Sequence, residues 1–242
     1  RPEWPPGSAP FRMPSPSLSA VIVAAGSSRR MGFDKLTAPL RGRPLVAHSL
    51  AAFEACPDVG SIILVCSGER MAEFEKIAAP FGKVREVVAG GRERVHSVLA
   101  GVNALADRAP AFVAVHDGAR PLITPSAISA CYAAAREAGA AVCGEPVTDT
   151  LHRADPDGFL KETVSREHLW RMQTPQIAET AVLRTLLLGA REAGEAVTDE
   201  ISLLLRAGRK ARVVENPDWN LKVTYPRDLA LAEMLLQSRE TR

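Results

Sequence analysis

The first segment whose residue types could do chemistry runs from Ala20 to Lys35, with the sequence AVIVAAGSSRRMGFDK. An apolar run gives way to Gly26 and two serines, which free the backbone to wrap around a ligand. Backbone N–H groups in such a loop can face an anion, and Arg29, Arg30 and Lys35 add positive charge. The segment predicts a phosphate-binding loop. The alternative is a strand-to-helix turn that happens to be basic.

Two better-known nucleotide signatures do not account for this loop. A P-loop closes with Gly-Lys followed by Ser or Thr, and the dinucleotide fingerprint needs the pattern G-x-G-x-x-G. Neither pattern occurs between Ala20 and Lys35. A nucleotide bound here would therefore be held by a loop of another kind.

Three further segments place charged or small residues beside predicted turns. In VHDGARPL, Asp117 can accept and Arg120 can donate hydrogen bonds, although such a pair can also merely brace its loop. In GGRERVHSVLAG, Gly90 and Gly91 precede a helix, which suits a flat base and an anion but also fits a plain N-cap turn. In NLKVT, Lys222 is predicted in a short apolar strand, where a bare ammonium needs an anionic partner. The alternative there is an ordinary solvated lysine.

The elements that must position these residues alternate along the chain. From Leu18 onward, short apolar runs alternate with amphipathic stretches, which predicts an α/β fold with a mostly parallel sheet and helices on both faces. Strands are predicted at 20–25, 61–66, 84–88, 112–115 and 140–143. Helices are predicted at 44–55, 69–79, 94–106, 125–138, 179–190, 199–207 and 227–236. Pro44 and Pro125 fit first-turn positions. Ligands of such sheets bind beyond the strands' carboxyl ends where the strand order reverses, so the loops at Gly26 and after Val115 should open together.

The sequence changes character between residues 146 and 165. Alternating residues flank Asp155-Pro156-Asp157-Gly158, a turn signal that predicts a protruding β-hairpin arm. A two-stranded hairpin is marginally stable alone, so we expect the arm to dock on a second copy of the chain. An insertion lying on its own domain is the alternative.

Composition excludes several classes of protein. The 242 residues are 46% hydrophobic, enough for one large α/β domain, and a net charge of +2 gives no overall field that would draw nucleic acid or a membrane surface. No apolar stretch reaches the length of a membrane helix, so small molecules or a second copy are the expected partners. The four cysteines lack C-x-x-C spacing and the five histidines lack metal-ligand spacing. This predicts buried free thiols, a cytoplasmic location and no zinc site.

The two ends of the chain differ in kind. Residues 1–17 hold six prolines and are predicted to form a disordered tail, within which Met13 is a candidate start of the native product. Residues 18–238 are predicted to form a single domain that carries the arm.

Taken in order, the motifs resemble those of one enzyme family. The matching stretches are AAGSSRRMG with Lys35, GGRERVHSVLAG, VHDGARP, PVTDT, Arg166, TPQ, VTDE and NLKVT. From about Leu18 to Leu236 they resemble the 2-C-methyl-D-erythritol 4-phosphate cytidylyltransferases. The resemblance implies a Rossmann-like, homodimeric nucleotidyltransferase of the non-mevalonate isoprenoid pathway. Such an enzyme transfers CMP from CTP to 2-C-methyl-D-erythritol 4-phosphate with Mg²⁺, releasing pyrophosphate and forming 4-diphosphocytidyl-2-C-methyl-D-erythritol.

The resemblance also implies a role for each matching residue. The implied nucleotide-binding residues are Ala24, Ala25, Gly26, Gly90, Gly91 and Ser97. The implied catalytic residues are Arg30, Lys35, Arg166 and Lys222. The implied substrate-binding residues are Asp117, Arg120, Thr150, Arg166, Thr198 and Lys222. Thr150 and Arg166, on and beside the arm, would reach into the partner's site. Magnesium would be held mainly by the CTP phosphates, with Asp117 as a candidate ligand.

Two other functions fit the same motifs. A cytidylyltransferase acting on ribitol 5-phosphate would show a similar CTP pocket, because both acceptors are polyol phosphates. A nucleotide-binding regulator with a dead active site is the non-enzymatic alternative. It would be expected to have lost charges, yet the sequence retains all of them: Arg30, Lys35, Asp117, Arg166 and Lys222.

Overall fold

The structure is a computed structural model that describes residues 18–26, 32–108 and 110–240. Two features named above lie outside these ranges. They are the Pro-rich segment 1–17, which includes Met13, and the loop residues 27–31, which include Arg29 and Arg30. The predicted disorder of the tail and the single-domain boundary at 18–238 stay predictions.

Strands and helices alternate along the described chain. The strands are β1 (Leu18–Ala24), β2 (Pro39–Leu40), β3 (Arg43–Pro44), β4 (Val59–Cys66), β5 (Val84–Ala89), β6 (Phe112–Asp117), β7 (Ala140–Pro146), β8 (Leu151–Ala154), β9 (Leu160–Val164), β10 (Trp170–Glu179) and β11 (Arg212–Glu215). The α-helices are α1 (Leu45–Ala55), α2 (Met71–Ala78), α3 (Arg94–Asn103), α4 (Pro125–Ala138), α5 (Thr180–Glu192), α6 (Glu200–Arg206) and α7 (Pro226–Glu240).

The main sheet has the strand order β11-β7-β10-β6-β1-β4-β5. Within it β10 runs antiparallel to both β6 and β7, while the other described pairs are parallel. The chain leaves β1 toward β4 and β5 and then returns to the opposite side of β1 with β6. The strand order therefore reverses at β1, and a crevice opens beyond the carboxyl ends of β1 and β6. This confirms the predicted fold class and the predicted meeting of the two loops.

Both faces of the sheet are covered, which explains why β1 is almost entirely apolar. Leu18, Ala20 and Ile22 belong to the core shared with α1, α2, α4 and α7. Val21 points to the opposite face and belongs to the core shared with α3, α5 and α6. Because side chains alternate along a strand, a strand buried on both faces is apolar at nearly every position. The polar exception, Ser19, has its Oγ 2.8 Å from Oγ of Ser61 on β4.

Most of the predicted elements are present, but one helix start is wrong. The five predicted strands and seven predicted helices all occur; α4 has the predicted bounds and the others have shifted ends, whereas β2, β3, β10 and β11 were not predicted. Pro125 begins α4 behind Thr124, whose side chain accepts a hydrogen bond from the N–H of Ala127 at 3.3 Å. Pro44 does not lie in the first turn of α1. It precedes the helix with an extended ψ of 138°, because it pairs with Pro39 in the small β2–β3 hairpin.

The segment 220–224 is not a strand, contrary to the prediction for Lys222. Its backbone groups bond to a loop and to side chains instead of to a neighbouring strand. The N–H of Val223 donates to the carbonyl oxygen of Ala119 at 2.9 Å. The carbonyl oxygen of Val223 accepts from Nζ of Lys35 at 2.8 Å, and that of Asn220 accepts from Nη1 of Arg120 at 2.7 Å. The segment is irregular because it spans the crevice rather than extending the sheet.

The predicted hairpin is present as a separate two-stranded sheet of β8 and β9. Its turn forms where the sequence placed it: Gly158 has a φ of +90°, and Oδ1 of Asp155 accepts hydrogen bonds from the N–H groups of Asp157 and Phe159. Phe159 and the adjacent Leu160 are 71% and 69% exposed. Two large apolar side chains are thus exposed to solvent at the tip of the arm.

Two further expectations bear on the kind of protein. All four cysteines are buried and carry free thiols, as predicted. Among the helices of the described ranges, none combines the length and the apolar character needed to cross a membrane.

Candidate functional site

A cleft of about 560 Å³ opens at the point where the strand order reverses. It is lined by Val23, Ala25, Gly26, Lys35, Leu36, Gly91, Arg92, Glu93, Arg94, Ser97, Asp117, Ala119, Lys222 and Thr224. Four stretches that are far apart in sequence therefore meet here: the end of β1 with its loop, the start of α3, the end of β6, and the segment 220–224. Seven of the site residues named from the sequence line this one cleft: Ala25, Gly26, Lys35, Gly91, Ser97, Asp117 and Lys222.

One wall of the cleft is made by the glycine pair before α3. The N–H of Gly91 donates to Oγ of Ser97 at 3.2 Å, and this hydroxyl lies within 3.2 Å of the carbonyl oxygen of Glu93. A Cβ added at Gly90 would lie 2.6 Å from Cβ of Ala25 and 2.7 Å from Oγ of Ser97. Only glycine at position 90 lets the β1 loop and the start of α3 approach this closely. Gly90 and Ala24 thus lie behind the cleft wall rather than on its surface.

Lys35 enters the cleft from the opposite side. It is half-buried, and its Nζ donates to the carbonyl oxygen of Val223 at 2.8 Å. This contact brings it next to Lys222, so two ammonium-bearing residues from distant parts of the chain share one cleft. Such a pair suits an anionic ligand.

Asp117 is the centre of an ion-pair cluster at the base of the cleft. Its side chain is only 9% exposed, and its Oδ1 lies 2.6 Å from Nη1 of Arg94. Its Oδ2 lies 2.8 Å from Nζ of Lys222 and 3.7 Å from Nε of Arg120. Burial by itself would raise the pKa of Asp117, but the charges of Arg94, Lys222 and Arg120 outweigh it and hold that pKa well below the ordinary value. Asp117 is therefore a fixed negative charge in a cationic surrounding.

His116 precedes Asp117 but is not available for proton transfer. The ring is fully buried against Phe53, with 5.0 Å between the ring centroids, and Nδ1 lies 3.0 Å from Oγ1 of Thr174. Burial lowers the pKa of His116 to about 3, so the imidazole is neutral at physiological pH. The same Thr174 hydroxyl accepts a hydrogen bond from the N–H of Asp117 at 3.1 Å, which helps to fix the position of Asp117.

Sequence reasoning did not assign a role to Arg94 or to its partner Glu200. Nε and Nη2 of Arg94 donate to the two carboxylate oxygens of Glu200 at 3.1 and 2.9 Å. Glu200 is 1% exposed, so burial raises its pKa while the charge of Arg94 opposes that rise. The two residues are 106 positions apart, and no local pattern links them. The one sequence signal near this pair is the VTDE motif, which contains Glu200 and contributes only to the family resemblance.

Besides Gly90 and Ala24, four more residues named from the sequence do not line the cleft. Arg120 lies behind Asp117 and lines a second cavity of about 520 Å³, which it shares with Lys222. Thr150 and Thr198 are exposed. Arg166 is also exposed, and its guanidinium donates to the carbonyl oxygen of Thr148 at the base of the arm. The single chain thus brings Asp117 and Lys222 together with the nucleotide-side residues and leaves Thr150, Arg166 and Thr198 apart from them.

Comparisons with known proteins agree over nearly the whole described chain. A sequence model of the 2-C-methyl-D-erythritol 4-phosphate cytidylyltransferase family matches residues 18–238. A relative of that name from Pelotomaculum thermopropionicum is 40% identical over 232 residues, covering 93% of this chain and 96% of the relative. Another of that name, from Halalkalibacterium halodurans, is 37% identical over 228 residues and covers 93% and 99% of the two chains.

A solved structure shows the same fold. The crystal structure of 4-diphosphocytidyl-2C-methyl-D-erythritol synthase from Anaerococcus prevotii superposes with a TM-score of 0.80 at 27% identity. The superposition covers 91% of this chain and 96% of that one. The sequence match and the structural match therefore span the same elements, including those that build the cleft.

Proposed function

Because the chain belongs to the 2-C-methyl-D-erythritol 4-phosphate cytidylyltransferase family, we propose that its cleft holds CTP and the methylerythritol phosphate side by side. The enzyme transfers CMP from CTP to 2-C-methyl-D-erythritol 4-phosphate and releases pyrophosphate. The product is 4-diphosphocytidyl-2-C-methyl-D-erythritol. One observation supports the roles proposed for individual residues: Lys35, Ser97, Asp117 and Lys222 come from four separate segments and line one cleft.

The reacting groups need alignment more than they need a base. A phosphate monoester has its second pKa near 6, so about nine-tenths of the acceptor phosphate is dianionic at neutral pH. One of its oxygens attacks the α-phosphorus of CTP, the bond from that phosphorus to the bridging oxygen breaks, and pyrophosphate leaves. No side chain has to remove a proton, which agrees with the neutral, buried state of His116.

Charge repulsion is the main obstacle that the chain must overcome. Two unit charges about 4 Å apart repel by about 4 kcal/mol at an effective dielectric constant near 20. We assign Lys35 to the triphosphate and Lys222 to the acceptor phosphate, with Arg30 of the loop beyond the described residues as a further triphosphate ligand. In this assignment the Lys222–Asp117 contact of 2.8 Å is exchanged for a contact with substrate.

The glycine-lined wall is proposed to receive the cytosine. The backbone at Ala24, Ala25 and Gly26 would pass beside the nucleotide, while Gly91 and Ser97 offer polar atoms to the base edge. Gly90 supports this wall from behind, because only a residue without a Cβ fits between Ala25 and Ser97.

Gly90→Ala should weaken CTP binding. The added methyl group would lie 2.6 Å from Cβ of Ala25, so either Ala25 or the backbone at residue 90 must move. We expect a loss of about 1–3 kcal/mol in the free energy of unfolding, and a rise in KM for CTP because Ser97 is displaced. Thermal denaturation and CTP titration at saturating acceptor measure the two effects. Gly189→Ala is the matched control, since a Cβ there meets nothing within 4 Å; an unchanged KM for CTP in Gly90→Ala would contradict the proposed cytosine wall.

The chain fits magnesium that arrives with the nucleotide. Among the residues described, no group of three or more His, Cys, Asp or Glu side chains could hold a metal ion. Both carboxylate oxygens of Asp117 already have cationic partners, at 2.6 Å and 2.8 Å. Magnesium in nucleotide enzymes is commonly bound by one or two carboxylates together with substrate phosphates. Asp117 would be the protein's contribution once Lys222 has moved to the acceptor phosphate, and the ion would supply positive charge to the triphosphate and the departing pyrophosphate.

We propose that the working enzyme is a homodimer joined through the arm. A two-stranded hairpin gains little stability alone, and its tip exposes Phe159 and Leu160. Docked on a second copy, the arm would bury these side chains and carry Thr150 and Arg166 to the partner's acceptor phosphate. Thr198, exposed just before the N-cap Asp199 of α6, would bind the same substrate from within its own chain.

We further propose a cytoplasmic enzyme that binds neither nucleic acid nor membrane. Buried free thiols suit a reducing compartment, and a net charge of +2 gives no extended basic field. The positive charge of the cleft is local and matches two small polyanions.

Pyrophosphate release tests the activity directly. We expect release with Mg²⁺, CTP and 2-C-methyl-D-erythritol 4-phosphate, and little with ATP, GTP or UTP. Ribitol 5-phosphate offered in parallel distinguishes the two acceptors, because an enzyme built for the other polyol phosphate would prefer it. Silence with both acceptors while CTP still binds would indicate a nucleotide-binding protein without this activity.

A further inference from the structure

We propose that Arg94, held by Glu200, is a positioning residue for cytidylyl transfer. It would fix Asp117 and the segment carrying Thr198 relative to each other, and so set the shape of the acceptor site. The inference rests on the proposed roles of Asp117 and Thr198 in substrate binding. It adds a buried pair to which neither the motifs nor the comparisons assign a role.

The guanidinium of Arg94 uses three nitrogens on two carboxylates from different parts of the chain. Nη1 donates to Oδ1 of Asp117 at 2.6 Å. Nε and Nη2 donate to the two oxygens of Glu200 at 3.1 and 2.9 Å. A planar fork bound on two sides cannot rotate without breaking a charged hydrogen bond, so its geometry is fixed. Arg94 therefore ties the end of β6 to the start of α6.

Glu200 is anchored as firmly as Arg94. It is the first residue of α6, is 1% exposed, and its N–H donates to Oε1 of Gln176 at 2.9 Å. Nε2 of the same Gln176 donates to Oδ2 of Asp199, the N-cap of α6, at 3.1 Å. The backbone that follows Thr198 is thus fixed to β10 by an amide and to α3 by an ion pair.

The charges explain why Asp117 needs this support. In the proposed mechanism Lys222 leaves Asp117 to meet the acceptor phosphate, and the nearest remaining cations are Arg94 at 2.6 Å and Arg120 at 3.7 Å. Arg94 cannot follow Lys222 toward the phosphate, because Glu200 holds it from behind. Asp117 therefore keeps its position and its charge while Lys222 changes partner.

A purely structural role makes a different prediction from a positioning role. Replacing both members of a buried ion pair by well-packed apolar side chains of similar volume is often neutral for stability, whereas removing one member leaves an uncompensated charge. The double variant Arg94→Met with Glu200→Met therefore removes the link to Asp117 without leaving Glu200 unpaired, and Asp117 keeps Lys222 and Arg120 as partners. A structural pair would leave turnover near the parental value in this variant.

The experiment is steady-state kinetics of the enzyme carrying Arg94→Met and Glu200→Met, with thermal denaturation alongside. We expect kcat to fall on the order of tens-fold and KM for the methylerythritol phosphate to rise, because the groups that bind the acceptor would be misaligned. We expect KM for CTP to stay within about twofold, because the hydrogen bonds that join Gly91, Ser97 and Glu93 do not involve the side chains of Arg94 and Glu200. Loss of folded protein alone would lower kcat and leave both KM values unchanged.

Arg212→Met is the matched control, since it breaks an exposed pair with Glu137 at 3.2 Å on the other side of the sheet and should behave as the parent. Arg94→Lys is the second variant, because its single ammonium keeps the charge but cannot span both carboxylates. It should lose roughly tenfold in kcat/KM for the acceptor, which decides the matter if the double variant does not fold.

The outcomes separate the inference from the function. Parental kinetics in a folded double variant, or in Arg94→Lys, would overturn the positioning role while leaving the activity in place. A parent enzyme that does not use the methylerythritol phosphate would overturn the proposed function and this inference together.

Discussion

Lys35→Ala is expected to lower kcat on the order of hundreds-fold, the loss typical when one donor to a transition-state charge is removed. The half-buried ammonium reaches the cleft from the loop after β1, where its Nζ bonds to the carbonyl oxygen of Val223 at 2.8 Å. As pyrophosphate departs, negative charge builds on the oxygens that this ammonium would contact. Alanine would leave that charge to the remaining cations of the cleft. Pyrophosphate release at saturating substrates measures the loss.

The fold should survive this change, which keeps the result interpretable. The neighbouring Leu36 is 2% exposed and remains in the core, so the melting temperature should shift little. Lys76→Ala is the matched control, because that lysine is exposed on α2 away from the cleft. Lys35→Arg tests whether charge alone is sufficient. Turnover of Lys35→Ala within a few-fold of the parent would remove Lys35 from the catalytic assignment.

Mixing two inactive variants should restore activity if the arm works on the partner's site. Lys35→Ala damages the site of its own chain, whereas Arg166→Ala would damage the site of the neighbouring chain. In a heterodimer of the two, one site then has both an intact Lys35 and an intact Arg166. Random pairing makes half of the dimers mixed, each with one intact site, so the mixture should recover about a quarter of parental activity. Co-refolding followed by a pyrophosphate assay measures the recovery.

The opposite mixture gives an independent control. A chain carrying both Lys35→Ala and Arg166→Ala is paired with an equal amount of parent. If the arm acts in trans, both sites of every heterodimer are damaged and about a quarter of the activity of an all-parent sample remains. If Arg166 serves its own chain, about half remains, and the two single variants do not restore each other. Those two results together would contradict the proposed arm exchange.

The sequence predicted the parts of the fold that local chemistry dictates. The strand β1 had to be buried on both faces because every position from Leu18 to Ala24 is apolar or small. The hairpin turn followed from Asp155-Pro156-Asp157-Gly158, whose side chain and glycine conformation satisfy the turn without help from the rest of the chain. The local sequence of such an element is sufficient to determine its structure.

The elements that the sequence did not predict depend on contacts with residues far away in the sequence. The strand β10 reads WRMQTPQIAE, in which a proline and several polar residues conceal a strand. It is a strand because β6 and β7 leave a gap between them that it fills. The strand prediction for the segment with Lys222 was wrong for the converse reason. Its apolar pattern is typical of a strand, but its backbone groups form hydrogen bonds with Ala119 and Lys35.

The candidate site also contains residues that motifs identify and residues that only the fold identifies. Lys35, Ser97, Asp117 and Lys222 were named from motifs, and the fold brings them to one cleft. Arg94 stands in one of those motifs but gains its importance only from Glu200, which lies 106 positions further on. A pair of opposite charges that far apart becomes visible only when the helix positions are known.

The placement of β10 has a consequence for how the protein is made. The strands β1, β4, β5 and β6 can pair as soon as Asp117 has left the ribosome, but the free edge of β6 is closed only by β10, which ends at Glu179. Translation adds about 5–20 residues per second, so a half-built sheet with an open edge persists for seconds. Nascent chains held close together on one messenger could pair through that edge, and chaperones that shield it during synthesis would raise the yield of folded enzyme.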